Sequence, residues 1–289
     1  MGFKYINELA TPENVDKLLS LVDMVAGGRV DTQNIFDIED ALTDSEQMKR
    51  CLQVVRQNPD SAQLVDERYM GPDFDLETLL KLPEGSLGWT YARVLSAMNY
   101  DIGFYRLRKI ESDVDYITHR VRKTHDLHHI LTGFSFDDYG ELGVISVTVG
   151  QIGYPAFTFI DLVGSLLAFM ANQAREGINS PLEYNFDLVS QGIRIARQAT
   201  PLFPVKFEEG LERPIDEWRA ELNIVPGPKD SGVGIAVLIC GMRSPPLSQH
   251  RLINRLLRTS SPVDQALKGI QQEMMPFKFD AILINRLET

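Results

Sequence analysis

Four of the chain's five histidines, His119, His125, His128 and His129, fall within eleven consecutive residues. His125 and His129 are four apart, so a helix sets both imidazoles on one face, one turn separated. Two imidazoles so placed can share one metal ion. Asp126 is rotated about 100° from His125. From there it can reach the same ion from the flank, or orient an imidazole. Glu141 follows twelve residues after His129, and Thr132-Gly133-Phe134-Ser135 between them lets the chain turn. A second helix laid alongside then completes a mixed nitrogen and oxygen site. That set suits zinc, iron(II) or manganese, and is nitrogen-rich for magnesium or calcium. A bare pair at this spacing usually packs and binds nothing; the adjoining Asp126, the downstream Glu141 and the clustering favour a metal.

The remaining titratable groups read more plainly. His119 and His128 lie off the 125/129 face, which suits surface or packing roles. Asp137 and Asp138 are first-turn acids favoured by the helix dipole. A nucleophilic triad has no support, because there is no G-x-S-x-G and neither Cys51 nor Cys240 neighbours a histidine. Gly232-Val233-Gly234 lacks the rest of a nucleotide-binding fingerprint. No side chain stands out as catalytic beyond the ligand set.

The elements that must position these residues read as almost all helical. Thr11-Pro12-Glu13 opens a helix that Gly27-Gly28 stops. A second runs from Asp44-Ser45 to Asn58-Pro59, and short ones follow over Leu76 to Leu82 and Gly88 to Ala97. Ser112 to Ile130 carries the histidines and breaks at Thr132-Gly133. The next helix starts near Ser135, where Ser135 and Asp138 have capping-box spacing. Pro181 precedes a helix from about Phe186 to Ala199, and Pro214 to Leu222 is another. The composition changes at Val225-Pro226-Gly227-Pro228. Beyond it, Ser231 to Met242 is Gly-rich and apolar, Arg243 to Arg258 holds four arginines and no acid, and Ala281 to Asn285 suits a strand. We divide the chain into a helical domain, residues 1–225, and a C-terminal extension, 226–289.

Bulk properties narrow the classes. A hydrophobic share of 44% supports a full core, and a net charge of −11 argues against sequence-independent nucleic-acid binding. Two cysteines without motif spacing suit a reducing compartment. The first residues form neither a secretory signal nor an Arg-rich transit peptide. From Leu142 to Ala171 the only formal charge is Asp161. The run is long enough to cross a bilayer, but Gln151, Pro155 and a central acid favour buried helices instead.

His125-Asp126-Leu127-His128-His129, eleven residues and then Glu141 form the HDxxH…E signature of the ubiquinone (coenzyme Q) biosynthesis family known as Coq-four, which this chain resembles. The flanks agree. Leu82-Pro83-Glu84-Gly85-Ser86-Leu87-Gly88, Tyr91-Ala92-Arg93, His129 to Gly133, Gly140-Glu141-Leu142, Gly192-Ile193-Arg194 and Ile215 to Leu222 are all similar to family segments. The resemblance covers roughly residues 10–224. It departs at His128, where members often carry Trp, a change that alters packing or adds a ligand, and in residues 226–289.

The resemblance implies an all-α fold: a multi-helix orthogonal bundle with a metal site between two helices, an apolar groove and a C-terminal appendage. It implies His125, Asp126, His129 and Glu141 as metal ligands, zinc first, with iron(II), manganese(II) or magnesium as alternatives. It implies a metal-dependent lyase that oxidatively decarboxylates a polyprenylated aromatic ring; the alternative is a non-catalytic prenyl-lipid-binding scaffold that organises the quinone-biosynthesis complex. Expected partners are a polyprenyl lipid or quinone precursor, other quinone-biosynthesis proteins, a membrane surface and a second copy of the chain, with no nucleic acid. The expected location is cytoplasmic, peripheral to the inner membrane face. The isoprenoid tail needs an apolar groove, since each buried methylene is worth ~0.8 kcal/mol. The run from Leu142 is the candidate lining, with small Gly150, Gly153, Ala156 and Gly164 leaving room. Arg194 is the candidate partner for a substrate anion. Leu252, Ile253, Leu256 and Leu257, set among the arginines of 243–258, are candidates to face lipid.

Overall fold

The computed structural model describes residues 33–98, 109–171 and 180–227, with Thr11, Pro12 and Asp16 besides. Most of the expected helix after Thr11, and the Gly-rich, Arg-rich and strand segments after residue 227, lie outside the described residues. The chain divides into two units, Met1–Ala41 with His250–Thr289, and Leu42–Gln249. The first includes most of helix α1 (Gln33–Leu42). The second carries α2 (Glu46–Gln57), α3 (Pro59–Glu67), α4 (Leu76–Leu79), α5 (Leu87–Ala97), α6 (Asp113–Thr132), α7 (Asp138–Ile152), α8 (Pro155–Ala171), α9 (Pro181–Gln198) and α10 (Ile215–Glu221). A 3-10 turn, Phe207–Glu209, precedes α10. The described residues hold no β-strand, so the fold is all-α; one isolated bridge joins Ser86 to Pro214.

Local chemistry sets most helix ends. Ser45 accepts from the Met48 amide to open α2. Asn58-Pro59, read from sequence as a helix end, is also a start: Asn58 accepts from the Ser61 amide and Pro59 takes the first position of α3. A full capping box opens α6, with Ser112 and Asp115 exchanging bonds. The box expected at Ser135 and Asp138 is not the one that forms. Asp137 caps α7 through the Gly140 amide at 2.8 Å and accepts from Ser135 Oγ at 2.9 Å. Acid one residue earlier takes the amide because Ser135 is turned toward that acid. Gly153, in the left-handed region at φ 64°, ends α7 and lets Pro155 start α8. The near-uncharged run is therefore an antiparallel helix pair. No helix among the described residues is long and apolar enough to cross a membrane.

α7 lies at the centre of this unit, packed against α6, α8 and, most extensively, α9. Gly192 of α9 makes the closest crossing possible: a Cβ there would sit 2.2 Å from the Gly143 carbonyl oxygen of α7. Val144, Ile145 and Val147 are buried on α7, with Leu188 and Ile195 on α9. The helix α6 that carries the histidines is pinned along its length and at its end. Near its middle, Arg120 bonds Glu208 at 2.5 Å, both side chains fully buried. At its end, Gly133 adopts φ 80°, while Arg219 of α10 donates to the carbonyls of Leu131 at 2.8 Å and Ile130 at 3.0 Å. Those carbonyls have no partner inside the helix, so the arginine supplies one.

Candidate metal centre

The four-residue spacing on α6 places His125 and His129 with their ring centroids 4.9 Å apart and their Nε2 atoms 3.3 Å apart. Glu141, at the end of the first turn of α7, brings Oε2 within 2.9 Å of His125 Nε2 and Oε1 within 3.4 Å of His129 Nε2. Asp126 is buried, and one of its carboxylate oxygens shares a cluster with the two imidazoles, ligand atoms within 4.8 Å of one another. His125 and His129 thus meet Glu141 directly, and His125, Asp126 and His129 form a group whose ligand atoms could share one ion.

Three observations test whether these residues fit an ion. Zn–N bonds of about 2.0–2.1 Å in tetrahedral geometry set neighbouring nitrogens about 3.3–3.4 Å apart, and the Nε2 separation matches that edge. His129 Nδ1 lies 3.3 Å from the Phe134 carbonyl. A proton there, donated to that carbonyl, leaves the Nε2 lone pair aimed at His125 and Glu141, as a metal-bound histidine requires. Two imidazole nitrogens and a carboxylate facing one another are also repulsive unless a cation or a shared proton lies between them. The donor set fits a divalent ion.

The walls are aromatic. Phe136 stacks on the His129 ring, centroids 4.2 Å apart at 20°, and Phe157 of α8 lies 5.4 Å from the His125 ring. His129 is fully buried, while the Glu141 side chain is 31% exposed, which gives the site its opening. Burial alone would raise the Glu141 carboxyl, but the facing His129 and His125 imidazoles outweigh it and hold the group well below the usual carboxylate range. Tyr91, from the Tyr91-Ala92-Arg93 segment on α5, is pushed well up, first by burial and then by the Asp126 charge it faces.

The other sequence candidates separate. His128 turns away from the ligands and packs edge-on against Phe207, 5.8 Å between centroids, which in turn meets Trp218. Burial pushes it down to about 3, so it is neutral filler in that aromatic stack. His119 is half-buried and also pushed down by burial. Arg194 is exposed on α9. Ala156 is buried, and Gly153 is exposed with open space around its missing side chain. The room expected at Gly150 and Gly164 is filled. Ala196 occupies it at Gly150 and Leu142 at Gly164, because the glycines serve close helix packing there. Sequence reasoning missed the Phe134 carbonyl, Phe136 and Phe157. No periodicity marks a loop carbonyl, and phenylalanines in an apolar run read as core.

A family model described as coenzyme Q (ubiquinone) biosynthesis protein Coq4 matches residues 26–228. The ubiquinone biosynthesis protein COQ4 homolog, mitochondrial, of Rattus norvegicus is 29% identical over 180 residues, 61% of this chain and 64% of that protein. The mitochondrial COQ4 protein of Eremothecium gossypii is 32% identical over 155 residues, 53% of this chain and 46% of that one. The match therefore spans less than two thirds of these relatives' length. A crystal structure from Nostoc punctiforme PCC 73102, of a protein ascribed to ubiquinone biosynthesis, superposes with a TM-score of 0.63 at 25% identity, covering 71% of this chain and 93% of that one.

Proposed function

The chain belongs to the Coq4 family of coenzyme Q (ubiquinone) biosynthesis proteins, and from that membership we propose that it binds a divalent metal through His125, His129, Glu141 and Asp126 and acts there on a polyprenylated, carboxylated aromatic precursor. The observation that carries this reading is the meeting of His125 Nε2, His129 Nε2 and the Glu141 carboxylate within 3.4 Å of one another. The reaction class is oxidative decarboxylation with dioxygen as co-substrate: the ring carboxyl leaves as carbon dioxide, one oxygen atom becomes the ring hydroxyl, and the other leaves as water with two electrons and two protons from an external donor. Bound zinc, or iron(II) or manganese(II), supplies a Lewis acid that draws charge from the carboxylated carbon.

The chain's own residues do the rest. The Phe134 carbonyl holds the His129 ring in one tautomer, and Phe136 and Phe157 exclude water from the two imidazoles. Their faces also offer an aromatic ring surfaces to stack on. Leu162, Leu166 and Phe169 of α8 recur at helical spacing and are 65%, 39% and 69% exposed, with Phe186 of α9 at 57%. This apolar stripe, on the helix that supplies Phe157, is the face we assign to the membrane surface from which a prenyl lipid arrives. We place the functional domain in residues 1–225, with 226–289 as an extension.

Elemental analysis of purified protein, with mass spectrometry of extracted lipid, tests the reading. Close to one divalent ion per chain and a co-purifying prenylated aromatic compound are expected. His129→Ala should lose the ion and keep its helical circular dichroism. Wild-type protein prepared in metal-replete medium that holds no ion above background would refute the proposal.

A further inference from the structure

The histidine helix α6 ends at Thr132, three residues after His129. Its last four carbonyls need partners from beyond the helix, and all four have one. The Gly133 amide donates to the His129 carbonyl at 2.9 Å. Arg219 donates to the carbonyls of Ile130 and Leu131. The Gly227 amide donates to the Thr132 carbonyl at 2.8 Å. Arg219 and Gly227 belong to one stretch, folded back where the Ile224 amide donates to the Arg219 carbonyl at 2.9 Å. A single strap, residues 219–227, therefore caps the end of the helix that carries both imidazoles.

The same strap grips the loop behind His129. Phe134 is fully buried, and its ring is held between two glycines far apart in the chain. A Cβ on Gly143 of α7 would meet the ring at 2.4 Å, so the ring lies directly on the α7 backbone. From the strap, a Cβ on Gly227 would meet Phe134 Cε1 at 3.1 Å and Cζ at 3.3 Å. The backbone of this clamped residue reaches the ligand set, since the Phe134 carbonyl lies 3.3 Å from His129 Nδ1. Gly143 stands two residues after Glu141. Ring, imidazole and carboxylate thus take their places from one packing unit.

Resting on the metal-binding reading above, we infer that Gly227, two residues beyond the boundary drawn at 225, is a positioning residue for the metal centre. It acts through Phe134 on the His129 imidazole and touches no ligand itself. The Phe134 ring has no room to retreat toward Gly143, because the contact there is with backbone. A side chain at 227 therefore displaces Phe134 and carries its carbonyl away from Nδ1. His129 then loses the partner that orients its ring, and Nε2 no longer points at the ion. Val225, two residues earlier and 64% exposed, has no such path to the site.

Zinc affinity of the full chain, measured by competition with a chromophoric chelator, and the visible spectrum of its cobalt(II) form test this. Gly227→Leu should weaken zinc binding by about tenfold or more, the usual effect of losing a group that orients a ligand. Its cobalt band should change in shape, with helical circular dichroism unchanged. Adding Phe134→Leu makes room for the new side chain and should recover most of the affinity, whereas Val225→Ser should leave affinity and spectrum as in wild type. Gly227→Ala, which asks less of the ring, should show a smaller loss in the same direction and serves if Gly227→Leu does not fold. Wild-type affinity and spectrum in Gly227→Leu, or in Gly227→Ala where it stands in, overturn the inference. Weaker zinc binding with an unaltered cobalt spectrum also overturns it, since that marks a loss of stability alone. Wild type that binds neither zinc nor cobalt overturns the metal centre itself rather than the role of the strap.

Discussion

Glu208→Gln removes one charge from the pair that fixes the histidine-bearing helix. Arg120 and Glu208 are both fully buried, joined at 2.5 Å and 3.2 Å, and Arg120 Nη2 also donates to the Val205 carbonyl. The Arg120 guanidinium lies over the Tyr69 ring at 5.6 Å, and Lys123 stands 3.8 Å from Glu208. The substitution is nearly isosteric, so packing changes little, but it leaves one buried guanidinium and one half-buried ammonium facing no acid at that point. Breaking one partner of a buried pair costs about 3–5 kcal/mol. For a domain of this size each kcal/mol moves Tm by about 2–4 °C, so a fall of roughly 6–20 °C is expected by circular dichroism. Replacing both, as Arg120→Met with Glu208→Leu, removes the desolvated charges together and should return most of that loss. Lys123 keeps its carbonyl partners, Met70, Gly71 and Pro72, in that variant. Metal content measured beside Tm should fall in the single variant near its lowered transition, because α6 then loses the anchor five residues before His125. A Glu208→Gln protein melting within about 2 °C of wild type, or a double variant no more stable than the single, would refute the reasoning.

Two further outcomes follow from packing and charge. Gly192→Ala drives a methyl to 2.2 Å from the Gly143 carbonyl and 2.6 Å from Ser146 Cβ, so α7 and α9 must separate at a cost of roughly 1–3 kcal/mol, read as a lower urea midpoint with an unchanged slope. For pH, burial pushes the Asp161 carboxyl up to about 7 when folded, against an ordinary value of 3.8. The folded state then binds the extra proton between those values, so its contribution is fully present below the lower one and is lost as pH rises through about 7, at up to about 1.4 kcal/mol per unit. Asp161→Asn should flatten that part of the stability–pH curve; a variant whose curve still falls in parallel with wild type between pH 4 and 7 would show that other groups are responsible.

The sequence by itself determined the helical class and the pairing of two imidazoles on one helix face. His125 and His129 were legible because four-residue spacing on one helix is a local property, fixed by 3.6 residues per turn whatever surrounds it. Gly133 announced the turn that brings Glu141 back, since a left-handed residue ends a helix wherever it falls. Tertiary structure alone decided what surrounds those side chains. The Phe157 ring, the Arg219 cap and the Ser146–Asp161 and Asn185–Gly164 bonds join residues distant in sequence and depend on how the helices pack, while the Phe134 carbonyl and the Phe136 ring, close to His129 in the chain, reach it only through the turn at Gly133. Whether Gly164 opened a groove or admitted Leu142 was likewise undecided until the helices met, because a missing side chain specifies only that something may approach, and the packed neighbour specifies what does.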